Sequence, residues 1–149
     1  MIRARQTAGL ILEEMSDLVE SSAVRKPTDL LCEGAPHMVE PPKKSYQTDR
    51  YARYLFDDGH RIEAAFRKYI HRGYQSGDEE AAPQVAVIVC HANVIRYFVM
   101  RAMQVDPSAW LRITLHHGSV TKMRVFGNGD IRIYTVGEAS YMPSEKLSA

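Results

Sequence analysis

The sequence predicts an α/β fold, and three observations carry that expectation. The first is Val85-Ala86-Val87-Ile88-Val89-Cys90, six small or β-branched apolar residues without a break. Such a run reads as a strand buried on both faces, as in a parallel sheet. The second is the pattern that follows it at once: Ile95, Phe98, Val99 and Ala102 fall at helical spacing, with Asn93 as the expected N-cap. The third is a pair of stretches, Ser119 to Phe126 and Asp130 to Val136, separated by Gly127-Asn128-Gly129. Asn-Gly between two strands signals a hairpin.

Composition narrows the class. At 149 residues the chain is expected to form a single domain, residues 1–149, long enough to bury a core. It is 45% hydrophobic and 25% charged, with a formal net charge of +1. That balance points to no nucleic acid and no acidic membrane surface as partner. No apolar run approaches the roughly 20 residues of a membrane span. Met1-Ile2-Arg3-Ala4-Arg5 leads straight into an amphipathic pattern rather than into a signal peptide. The two cysteines, Cys32 and Cys90, form no CxxC. Cys90 reads as a small core residue, and no structural disulfide is expected.

The elements follow in chain order. Arg3 to about Val19 reads as a helix, with Ala8, Ile11, Leu12, Met15 and Val19 on one apolar face. Thr28 to Leu31 reads as a short strand. Pro36 to Ser45, with Pro41-Pro42-Lys43-Lys44, is a surface loop or lid, because proline excludes a helix interior or central strand. Tyr46 to Arg72 is the longest helical region, with a break expected at Gly59. Its second half carries Ile62, Ala65, Phe66, Tyr69 and Ile70 as a core stripe. Gly73 to Gln84 is polar and reads as an exposed loop. Asp106-Pro107 starts a helical turn, Asp as cap and Pro at the first position. Trp110 reads as a core anchor, and Gly137 to Ala149 as an irregular tail.

Several chemistries find no motif. No two of the six histidines form an HxxxH pair on one helix face, and none pairs with cysteine at zinc spacing, so no metal and no cofactor are expected. GxxxxGK[ST], GxGxxG and GxSxG are all absent from the sequence.

What remains is an arginine in the first turn of a helix, a glutamate in a loop and a histidine at a strand end: Arg3, Glu33 and His91. A strand's carboxyl end followed by a helix start is where open α/β folds place ligands. The free N–H groups of that helix start suit an anion. Arginine offers bidentate bonds to phosphate, a protonated histidine a further donor, and a shielded glutamate a proton for a leaving group. The plainer readings stand beside these: Arg3 as a solvated surface charge, and His91 as a residue that merely ends a strand. Spacing alone does not bring the three together.

Met1-Ile2-Arg3-Ala4-Arg5-Gln6-Thr7-Ala8 resembles the S-x-M-x-R-A-x-x-T-A helix start of the histidine phosphatase, or phosphoglycerate mutase-like, superfamily. Leu31-Cys32-Glu33-Gly34-Ala35-Pro36 is similar to its acid-bearing loop, and Cys90-His91-Ala92-Asn93-Val94-Ile95-Arg96 to its second histidine motif. Arg61 to Arg72, Trp110 to Arg112, Gly118 to Thr121 and Met142-Pro143 extend the resemblance over essentially the whole chain. They point to a branch of mitochondrial protein serine/threonine phosphatases. The resemblance implies a three-layer fold with a mostly parallel sheet, and dephosphorylation of phosphoserine and phosphothreonine proteins through a phosphohistidine. It implies Arg3, His91 and the Ala92 N–H as phosphate-binding groups, His91 and Glu33 as the catalytic pair, no cofactor, and homo-oligomerisation.

The departures are specific. The family's nucleophile lies in an Arg-His-Gly tripeptide, which occurs nowhere here; Gly59-His60-Arg61 is the reverse order. The expectation is therefore a partial domain lacking the first strand, the tripeptide and the first helix, and inactive alone. The alternative is a non-catalytic module that binds phosphate or phosphoprotein, or that oligomerises. Location is expected to be mitochondrial by resemblance, or cytoplasmic without the anchor and targeting segment. Cys32 and His117 stand where the family has arginine and asparagine.

Overall fold

The computed structural model describes residues 2–20, 24, 26–46, 48–71 and 85–148. The loop expected at 73–84 lies outside them. Three helices, α1 (Ile2–Glu14), α2 (Asp49–Tyr69) and α3 (Ala92–Ala102), precede a hairpin of β1 (Val120–Val125) and β2 (Ile131–Glu138). Among the described residues the one sheet is this antiparallel pair. The chain is thus a mixed helix-and-sheet protein whose central element is α3, packed against α2, the 107–112 turn and β2.

The apolar run at 85–90 is extended but forms no strand ladder. Val85 is 89% exposed and Val87 59%, while Ile88, Val89 and Cys90 are half-buried. A sequence can favour extended backbone, but a ladder needs a second backbone alongside, and none lies there among the described residues. The strand expected at Thr28–Leu31 is instead a 3₁₀ turn, Asp29–Leu31, whose cap Thr28 accepts a bond from the Leu30 N–H at 3.3 Å. Local capping by a hydroxyl outweighs the extended preference of so short a segment. α1 ends at Glu14, with turns to Leu18, and none of its residues is fully buried.

α2 is capped by Thr48 and runs unbroken through Gly59. That glycine serves a close approach: a Cβ there would sit 3.1 Å from the Pro36 carbonyl oxygen. Ile62 and Ala65 of α2 meet Val94, Tyr97 and Phe98 of α3 in the main core, with Leu30, Phe66, Tyr69, Ile70 and Cys90 around them. A second cluster joins Val39, Met100 and Trp110. The Trp110 Nε1–H and the Tyr51 hydroxyl both donate to the His37 carbonyl at 3.1 Å, tying the proline-rich loop down. Asp106 caps the 107–112 turn by accepting from the Ser108 N–H at 2.9 Å. In the hairpin, Gly129 takes φ 96°, a conformation open to glycine. Gly137 combines φ 68° with a Leu115 Cδ2 atom that its Cβ would meet at 2.8 Å.

One polar network fastens α2 to α3. Glu63 accepts from Arg67 Nε at 2.8 Å, from Arg101 Nε and Nη2 at 3.0 and 3.1 Å, and from the Tyr97 hydroxyl at 2.9 Å. Burial opposes its charge, but the bonds from Arg101, Arg67 and Tyr97 outweigh burial and hold its pKa at about 2. A depressed carboxylate pKa stabilises the fold above the unfolded value, and that contribution is lost as pH falls towards the folded one. Glu63→Gln should therefore melt lower than wild type at neutral pH, by about 1–2 kcal/mol given the partial exposure. The gap between the two should close between about pH 4.5 and pH 2. Thermal melts across pH check this, and a gap independent of pH would refute it.

Candidate active site

His91 is the N-cap of α3, with extended backbone at φ −115° and ψ 159°. Asn93, the expected cap, lies inside the helix instead. Its Nδ2 donates to the Gly34 carbonyl at 3.1 Å, and its Oδ1 accepts from Arg96 Nη1 at 2.9 Å. Ala92 is the first helical residue, and a helix's first N–H groups have no acceptor within the helix. His91 Nε2 is buried without a hydrogen-bond partner, as is His116 Nδ1 among the described residues.

Glu33 sits in the loop after the Asp29–Leu31 turn, exposed, with Oε1 accepting from the Gly34 N–H at 3.2 Å. The loop is clamped from α2. Arg61 Nη1 donates to the carbonyls of Asp29, Leu30 and Cys32 at 3.1, 3.0 and 2.8 Å, and Nη2 to that of Glu33 at 3.2 Å. Asp58 holds Arg61 Nη2 at 2.8 Å and accepts from the Ala35 N–H at 3.2 Å. The loop passes so close that a Cβ on Gly34 would lie 2.4 Å from Asp58 Cγ. From the other side, Asn93 holds the Gly34 carbonyl. Glu33 is thus fixed between α2 and the start of α3.

Arg3 lies exposed in the first turn of α1, its carbonyl accepting from the Thr7 hydroxyl at 3.0 Å. Arg3 and Glu33 both act electrostatically on His91. Desolvation lowers its pKa below the ordinary 6.5; Arg3 pushes the same way, and Glu33 opposes. An imidazole with an orphaned nitrogen, a helix start, an arginine and a carboxylate together can hold an anion and supply a proton. Arg3 and Glu33 thus both bear electrostatically on His91, the cap of the helix that begins at Ala92. A cavity of about 730 Å³ between the ends of α2 and α3 and the hairpin shares none of these residues.

Sequence reasoning missed Asp58, Arg61 and Asn93 as the residues that hold Glu33. The available signal was Asp58 and Arg61 at i, i+3 on one helix face. Cys90 is a core thiol, its pKa pushed up to about 12 by burial, and both cysteines are free. Cys32 gives its carbonyl to Arg61. His117 bonds Ser148 Oγ at 3.0 Å. Among the described residues no group of His, Cys, Asp or Glu could hold a metal ion, and no helix is long and apolar enough to cross a membrane.

The chain belongs to the histidine phosphatase superfamily: the family described as histidine phosphatase superfamily (branch 1) matches residues 1–137. Within it, the chain is similar to serine/threonine-protein phosphatase PGAM5, mitochondrial. It is 42% identical to that protein from Xenopus laevis over 148 residues, which cover 99% of this chain and 50% of the relative. The human protein is 39% identical and that of Drosophila willistoni 40%, each over 99% of this chain and 48% of the relative. The chain spans about half the length of these curated relatives.

Two outcomes follow from the geometry. The His91 imidazole should titrate below 6.5 by NMR; Glu33→Gln should lower its pKa further and Arg3→Gln should raise it. Shifts of the opposite sign would contradict the electrostatic arrangement. Arg61→Gln should lose about 2–3 kcal/mol of stability in chemical denaturation, since it orphans several carbonyls at once. A loss within error of zero would mean the clamp contributes nothing.

Proposed function

We propose that this chain carries the phosphate-holding and proton-donating groups of a protein serine/threonine phosphatase working through a phosphohistidine. The observation behind the proposal is the electrostatic influence of Arg3 and Glu33 on His91, which caps the start of α3. Support comes from the family match over residues 1–137 and from the printed names of the relatives. Arg3, His91 and the Ala92 N–H hold the phosphate oxygens, where preorganised donors stabilise developing charge. Glu33 gives its proton to the serine or threonine oxygen as the P–O bond breaks. By the same names, the proposed location is mitochondrial and the substrate a phosphoprotein.

The attacking histidine of the family sits in an Arg-His-Gly tripeptide, which residues 1–149 do not contain. The chain alone is therefore expected to bind phosphate without turning it over. The same observation favours the second reading, a non-catalytic phosphate- or phosphoprotein-binding module, or an oligomerising one. We read residues 1–149 as one partial domain. Residues 85–90 are then the strand of a mostly parallel, three-layer sheet that awaits a neighbour, as their exposed valines suggest.

The test is hydrolysis of p-nitrophenyl phosphate and of a phosphoserine peptide by the purified 149-residue chain, with His91→Ala as control. Parallel NMR titration of the His91 ring with inorganic phosphate reads binding. The expected result is no turnover, with a saturable His91 shift that Arg3→Gln weakens. Turnover abolished by His91→Ala would show that another residue attacks, with His60, His116 and His117 the histidines to examine. Absence of any His91 response to phosphate would remove the phosphatase reading and the phosphate-binding form of the second, leaving only an oligomerising module.

A further inference from the structure

The outward face of the hairpin carries a charge arrangement that the candidate active site does not use. Lys122, Arg124, Arg132 and Tyr134 alternate outward along β1 and β2 and are exposed. Arg124 stands directly opposite Arg132 in the register. Like charges at directly opposed positions of a strand pair are destabilising. Neither arginine, nor Lys122, has a carboxylate partner among the described residues. Instead the cations rest on rings: the Arg124 and Arg132 guanidiniums lie 4.6 and 5.1 Å from the Phe126 centroid, and the Lys122 ammonium 5.6 Å from that of Tyr134.

We propose that this face docks an acidic polypeptide segment, whose carboxylates bridge the Arg124–Arg132 pair. The like-charge pair is costly when empty, and a bridging carboxylate turns the repulsion into two attractions. Resting on Phe126 pre-orders both guanidiniums, so less rotamer freedom is lost when a carboxylate arrives. Guanidinium forks suit carboxylates in a bidentate geometry. An extended acidic peptide laid along a two-stranded face also meets Lys122 beyond the pair. Single-stranded nucleic acid fits less well, because it needs free ring faces for its bases to stack on. Here the rings of Phe126 and Tyr134 already carry cations. With a net charge of only +1, the attraction is local to the patch.

The experiment is fluorescence anisotropy of the full chain with a labelled peptide of alternating Glu and Ser, and a Gln-Ser peptide as uncharged control. Neither peptide carries phosphate, so the outcome is independent of the proposed phosphatase site. Saturable binding of the Glu-Ser peptide that weakens with salt is expected. The double variant R124Q/R132Q should bind it roughly tenfold or more weakly. The double variant R124E/R132E should lose it and gain a Lys-Ser peptide, a readout that misfolding could not produce. Equal binding by R124Q/R132Q, equal binding of the Gln-Ser peptide, or no binding of Glu-Ser while phosphatidylserine vesicles bind would each overturn the proposal.

Discussion

The Arg61 guanidinium is the contact on which the candidate site depends. It reaches from the middle of α2 to the carbonyls of Asp29, Leu30, Cys32 and Glu33, with Asp58 beside it to balance its charge. A single 3₁₀ turn and the loop after it make few backbone bonds of their own, the Cys32 N–H to the Asp29 carbonyl being one. One planar cation with five donors supplies bonds to the remaining carbonyls. Glycine at position 34 follows from the same constraint, since no side chain fits between the loop and Asp58. Glu33 owes its backbone position to a residue on another element.

α3 is the second organising element, and it serves two ends at once. Its buried face, Val94, Tyr97, Phe98 and Val99, anchors it in the core. Its start is capped by His91, on which Glu33 and Arg3 act electrostatically. Further along, Tyr97 and Arg101 meet Glu63 of α2. The helix is held by burial on one face and by that network along its later turns. Burial lowers the pKa of His91, with the Glu33 carboxylate opposing and Arg3 adding to the shift.

Much of this was legible in the chain. The hairpin followed from alternating residues around Asn-Gly, the 107–112 turn from Asp-Pro, and the burial of Trp110 from its size. The helix after His91 followed from spacing, although its cap moved from Asn93 to His91. Asn93 was drawn off by the Gly34 carbonyl, a residue far away in sequence. The expected break at Gly59 failed because glycine was there to admit Pro36, and the helix tolerates it. The strand at Thr28–Leu31 failed because a hydroxyl cap and the Arg61 clamp favour a tight turn.

By itself, then, the sequence determined the core faces of α2 and α3, the hairpin and the 107–112 turn, because periodicity, capping and turn preference act over a few residues. It also carried the family, since Glu33-Gly34-Ala35-Pro36 and Cys90-His91-Ala92-Asn93 lie in the chain itself. Tertiary structure alone decided that Arg61 and Asn93 hold the Glu33 loop, that Arg3 and Glu33 bear electrostatically on His91, and that residues 85–90 have no ladder among the described residues. Each of these depends on backbone or charge brought together from distant positions, and no local preference specifies a partner that the chain must fold to meet.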